Sequence, residues 1–196
     1  VPTGRPREFD ESKALDQALK VFWRKGFEGA TLPDLTAAMG INRPSLYAAF
    51  GNKEELFRRA MERYLKGPAG HIRQALAEPT ARAVAERVLH GTVDLLTHPR
   101  NPRGCFMVQG ALACGDAGDA IRKEMAKERA KGEADLQARF ERAQSEGDLP
   151  ADCDAGDLAR FLTAVNFGIS VQSAGGAKRE QLQGVVDLAL RIWPRF

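Results

Sequence analysis

Apolar residues recur three or four positions apart along almost the whole chain, and no stretch shows the strict alternation and β-branched richness of a strand. The pattern predicts an all-α protein. A first helix is expected from about Asp10, as N-cap, to Lys25, ended by Gly26, with Leu15, Ala18, Leu19, Phe22 and Trp23 as its inner stripe. Three short segments follow in "TLPDLTAAMGINRPSLYAAFGNKEELF". Thr31 with Asp34 reads as a capping box for a second helix, buried through Leu35 and Met39 and stopped by Gly40. Asn42 caps a third, with Leu46 and Phe50 inward and Gly51 at its end. Asn52 and Glu55 open a fourth, "KEELFRRAMERYLKG". Pro33 and Pro44 each fall in a first turn, where a missing N–H costs little.

Beyond Gly67 and Pro68 the pattern is coarser. Helices are expected over 82–96, stopped at His98-Pro99, over 106–113, and over 117–146 with Ile121, Met125, Leu136 and Phe140 inward and Gly132 weakening it. "EGDLP" is a stop. Asp154 caps a further helix carrying Leu158, Phe161, Leu162, Val165 and Ile169, which "SAGG" breaks, and a last helix carries Leu182 to Trp193. The chain thus divides into a three-helix unit with its supporting fourth helix, residues 1–66, whose first eight residues form a basic arm, and a helical body, residues 67–196.

Charge sharpens that division. The whole chain carries a net charge of +3; residues 1–66 hold 12 Lys/Arg against 9 Asp/Glu, and the remainder 17 against 17. All the net positive charge sits in the first third, which suits a polyanion-binding module on a neutral body. A non-specific architectural DNA protein would spread stronger positive charge over the chain. No apolar run reaches the 18 or so residues of a membrane span, and "VPTGRPREFDESK" lacks the apolar segment of a signal peptide, so a cytoplasmic protein with no membrane partner is expected. Cys105, Cys114 and Cys153 are odd in number and widely spaced, neither a disulfide framework nor a zinc pattern; they read as incidental thiols, with a sensing role through redox or metal chemistry as the alternative. There is no glycine-rich phosphate loop, metal-ligand pattern or nucleophile motif, so neither an enzyme nor a cofactor is expected.

The third helix explains why such a small unit carries Arg43, Ser45 and Tyr47. At 100° per residue, Pro44 and Ala48 point away from Leu46 and Phe50, with Ser45 and Tyr47 flanking them and Arg43 at the N-terminal end. A face built for protein packing would be large and apolar there, and a merely solvated one rich in Glu and Lys. A face small in the middle and ringed by hydrogen-bonding groups admits a major groove. The ends of the second and fourth helices, at Thr31 and Lys53, are placed to hold phosphates and fix the register. "GRPR" before the first helix lets Arg5 reach a narrow minor groove, or is a solubilising tail.

These residues carry a resemblance. Phe22, Gly26, Phe27, Ala30 and Thr31, then Ala37, Ala38, Gly40 and Ile41, then Ser45 to Tyr47, Phe50, Lys53, Glu54 and Leu56 resemble, in order and spacing, the DNA-binding domain of TetR-type transcriptional regulators over about residues 9–65. The resemblance implies a homodimer with two helix-turn-helix heads, a ligand cavity in the body, and pairing of subunits through the last two helices. It implies repression at a near-palindromic double-stranded operator, relieved by a small effector of unknown identity. Carried over by position, Asn42, Arg43, Pro44, Ser45 and Tyr47 face DNA, and Thr31 and Lys53 hold phosphates; Pro44 replaces the Gly or Ala often found there. "GCFMVQGAL" and "EGDLP" more loosely resemble a branch with metal- or stress-responsive members. No metal is carried over, because His71, His90 and His98 lack an i, i+4 arrangement. Met107, Phe140, Phe161 and Phe167 are candidates to line the cavity, and equally placed to be ordinary core. Gly168 and Gly184 would let the last two helices approach a second copy, and the same apolar faces could instead close the monomer's own core.

Overall fold

The computed structural model describes residues 9–112, 115 and 118–194. Those residues form ten helices and no strand: α1 Glu11–Gly29, α2 Leu32–Met39, α3 Arg43–Phe50, α4 Lys53–Lys66, α5 Gly70–Ala75, α6 Ala81–Thr97, α7 Phe106–Gln109, α8 Asp119–Ser145, α9 Ala155–Ala174 and α10 Arg179–Arg191. The caps are those the sequence predicts. The side chains of Asp10, Thr31, Asn42, Asn52 and Asp154 each accept a hydrogen bond from the amide three residues on. Gly40 closes α2 in the left-handed region at φ 67°.

The head is α1 to α4. α1 packs along α4 and crosses α2, and α3 is held between α2 and α4. α2 buries only Leu35 and Met39, and α3 only Leu46 and Phe50, so neither two-turn helix stands without the long pair behind it. The body packs α6, α8, α9 and α10 against one another, with α5 on α6.

Three features differ from the sequence expectation, and one agrees with it. α1 does not stop at Gly26 but kinks there and runs to Gly29. The segment after Cys105 is helical only over Phe106–Gln109. The single long helix expected over 117–146 is present as α8, whose 27 residues run unbroken through Gly132. The short α5 is additional, a six-residue turn with no side-chain cap that periodicity has no means to reveal.

The kink at Gly26 is where head meets body. Its φ of 69° and ψ of 180° lie in a region open essentially only to glycine. The bend aims the Phe27 N–H at the Gly110 carbonyl just beyond α7, at 2.8 Å. Trp23 Nε1 donates to the Gly104 carbonyl just before α7, at 2.7 Å. α7 is thereby pinned to α1 at both ends. Between the pins, Phe106 is fully buried and stacks on Phe57 and Tyr64 of α4, with ring centres 5.1 and 5.3 Å apart. Phe57 is in turn met edge-on by Phe22 and Phe27, and Tyr64 by Trp23. One aromatic cluster therefore fills the head and extends into the body.

A side chain at Gly26 would meet the Gly110 carbonyl at 3.2 Å as well as strain the backbone. Gly26→Ala is expected to cost at least about 1–3 kcal/mol in urea denaturation; a loss below about 0.5 kcal/mol, within the range of neutral surface changes, would show that the kink is not fixed.

Candidate nucleic-acid interface

α3 presents the face anticipated from its sequence. Leu46 and Phe50 are buried, Arg43, Pro44 and Ala48 are exposed, Ser45 is half-buried, and Tyr47 is 48% exposed. Arg43 and the Tyr47 hydroxyl have no partner among the described residues, which leaves both free for a ligand. Asn42 spends its carbonyl on the Ser45 amide at 2.8 Å, and its own N–H2 points outward from an exposed residue. α4 braces the far end of α3: Arg59 donates to the Ala49 carbonyl at 3.1 Å, and its guanidinium lies over the Phe50 ring.

The two flanking positions behave differently from a bare helix end. Thr31 donates both its amide and its hydroxyl to the Asp34 carboxylate, at 3.0 and 2.7 Å. Asp34 also pairs with Lys25 of α1 at 2.7 Å. Lys25, then the Thr31 hydroxyl and amide, hold the Asp34 carboxyl well below the usual carboxylate range. The end of α2 thus already holds an anion, and a phosphate contact by Thr31 would require its hydroxyl to leave Asp34. Lys53 lies half-buried with its ammonium 4.6 Å from the centre of the Phe27 ring. Arg5 falls outside the described residues.

Below the head lies a cavity of about 150 Å³ between α4, α5, α8 and α9. Met107 and Phe167 line it, together with Tyr64, Cys105, Leu136 and Leu162. Phe140 does not; it is fully buried against Trp193 of the α10 end. Phe161 does not line it either, and is partly buried on the core. Sequence reasoning passed over Arg129 and Asn166, which bring polar atoms to the same cavity. Asn166 left a signal: a lone amide four residues beyond Leu162 and three before Ile169, within the apolar stripe of α9. Cys105 borders the cavity and accepts from the buried Tyr64 hydroxyl at 3.3 Å. Burial pushes its thiol up. Cys153 is a half-buried free thiol, and Cys114 lies outside the described residues. Among the described residues no three His, Cys, Asp or Glu side chains gather as a metal site, and no helix is long and apolar enough to cross a membrane.

Two family models match this chain: bacterial regulatory proteins of the tetR family over residues 14–60, and the tetracyclin repressor-like C-terminal domain over 84–185. The chain belongs to the TetR family. The HTH-type transcriptional repressor ComR of Escherichia coli is 36% identical over 98% of this chain and 93% of its own length. YezE of Bacillus subtilis, an HTH-type transcriptional regulator, is 29% identical over 96% and 98%. A solved structure of the TetR-family regulator CifR, a cysteine mutant in complex with 26-base-pair operator DNA, superposes with a TM-score of 0.92 at 44% identity, over 97% of this chain and all of that one. This TetR-family member is therefore a DNA-binding transcriptional regulator and not an enzyme.

The Asp34 carboxyl is depressed in the folded protein, so what it adds to stability is present above its ordinary value of 3.8 and is lost as pH falls below it. The gap in Tm between the native protein and Asp34→Asn should hold steady from neutral pH to about pH 5 and shrink below about pH 4. A gap unchanged at low pH would mean that an ionised carboxylate is not what fastens α2 to α1.

Proposed function

We propose that this regulator is a homodimeric repressor that binds a near-palindromic operator through α3 and is released when a small molecule enters the body cavity. Its place of action would be the cytoplasm. Residues 1–66 would act as the reading head and 67–196 as the effector-binding and dimerising body. Arg43, Pro44, Ser45 and Tyr47 would meet base edges, Asn42 and Lys53 the backbone, with Thr31 beside them. The relatives support repression by their names, the operator complex of CifR supports DNA as the partner, and the exposed polar face of α3 supports it as the reading element.

The observation that carries effector control is the alternation along α7. Cys105 and Met107 border the cavity, while Phe106 between them stacks on Phe57 and Tyr64 of the head. A molecule that displaces Met107 cannot leave Phe106 where it is. Two heads must span half-sites about 34–36 Å apart, so a small tilt of each head lowers operator affinity. The effector acts by preferring the tilted conformation. Sensing through redox or metal chemistry is a weaker reading at Cys105, because a raised thiol pKa suppresses the reactive thiolate.

Dimerisation is supported by the outer face of the last two helices. Val171, Leu188 and Ile192 are 57, 56 and 63% exposed, large apolar groups in water. A Cβ built on Gly168 or Gly184 would meet nothing within 4 Å, so both backbones are open to close approach.

Two experiments test this reading. Sheared DNA from the source organism, offered at about 0.15 M salt, should yield one enriched near-palindrome. Arg43→Ala and Tyr47→Ala should each weaken it by about 1–3 kcal/mol, roughly 5- to 150-fold. Salt-sensitive retention of all sequences alike would instead indicate an architectural protein. In sedimentation, Leu188→Glu combined with Ile192→Glu should give single chains where the native protein gives pairs; a double variant still sedimenting as pairs would place the interface elsewhere.

A further inference from the structure

One charged group on the cavity wall has a backbone carbonyl as its fixed contact. Arg129 leaves α8 and donates from Nη1 to the Met107 carbonyl at 2.9 Å, which draws its guanidinium inward to α7. Among the described residues it makes no ion pair. Burial pulls its pKa below the ordinary arginine value, and no carboxylate counters that pull. Facing the same cavity, Asn166 is only 7% exposed, and its Oδ1 has no hydrogen-bond partner. Buried polar atoms without partners are rare in native proteins and point to an absent ligand or water. The remaining charges are peripheral. Arg73, Lys131 and Asp135 are exposed on the rim, and Glu133 faces Arg160 at 3.6 Å. Glu128 is half-buried but makes no ion pair with Arg129. The rest of the wall is apolar: Met107, Leu136, Leu162 and Phe167.

We infer that the effector is a small monocarboxylate with an apolar body of about benzene to hexyl size, its carboxylate held by Arg129 and its body by Met107, Leu136, Leu162 and Phe167. This rests on the effector-responsive reading above and names the ligand class for that site. A guanidinium offers a fork of donors matched to a carboxylate. With its amide turned so that N–H takes the place of Oδ1, Asn166 offers a donor on the same cavity wall. About 150 Å³ matches a cavity that accepts benzene. An anion on Arg129 also competes for the donor that fixes the Met107 carbonyl, so occupancy bears directly on α7.

The full chain is titrated calorimetrically with benzoate and hexanoate, beside benzamide, benzyl alcohol and benzylamine. The carboxylates should bind at least about tenfold tighter than the uncharged molecules and raise Tm with concentration. Arg129→Gln removes the guanidinium charge while leaving a polar amide and should bring the two groups to within about twofold, whereas Arg129→Lys keeps part of the preference. Asn166→Leu, at a different position, should weaken carboxylates alone and serves if the Arg129 variants melt early. Equal binding of neutral molecules, a preference for benzylamine, a preference untouched by Arg129→Gln, or no saturation by about 10 mM overturns the assignment. The same preparation is tested for operator retention. Selective retention with no carboxylate binding removes the ligand class and leaves the DNA reading; carboxylate binding without selective retention keeps the anion site and removes that reading.

Discussion

Everything in the head depends on a ring that the body supplies. α2 and α3 each bury two side chains, and α1 and α4 close over them with Phe22, Phe27 and Phe57. The last face of Phe57 is covered by Phe106 of α7. Without that ring the head core would be open on one side, and an aromatic side chain lost from such a site typically costs about 3–5 kcal/mol. The head is thus completed by an element that also borders the cavity through Met107.

Other links cross the same junction, and magnitudes rank them. Arg58 makes a bidentate pair with Glu124 of α8, both bonds at 2.8 Å. Its side chain is 38% exposed and that of Glu124 39%, and an ion pair so solvated contributes about 1 kcal/mol or less. The aromatic stack and the two buried bonds from Trp23 and Phe27 outweigh it. Head orientation is therefore set by packing at α7, with Arg58 and Glu124 trimming the angle from outside.

Local chemistry made much of the head legible. Asp10, Thr31, Asn42 and Asn52 announce four helix starts because capping is a contact within four residues, and the α3 face follows from 100° per residue. What sequence could not show was long-range. Gly26 reads as a stop, yet it is a kink whose purpose is Gly110, 84 positions away. Phe140 and Phe161 were plausible cavity residues by type alone, and the packing of α10 decided otherwise for Phe140. Thr31 was legible as a cap, but not the arrival of Lys25 that turns the cap into a solvent-exposed ionic clasp between α1 and α2. Arg129 looked like one more charge on a helix full of them, since only the tertiary fold brings Met107 beneath it.

The caps also polarise the head. The first turn of α2 contains Asp34 and that of α4 contains Glu54 and Glu55, whereas the first turn of α3 contains no acid at all. Each helix has a macrodipole whose positive end lies at its N-terminus, and acids in the first turn cancel it. Of the four helices of the head, α3 alone has no acid in its first turn, and Arg43 stands there instead. The domain consequently has an electrostatic front. An anion that reaches the head therefore meets, at the start of α3, a helix N-terminus with no acid in its first turn, an effect confined to that turn.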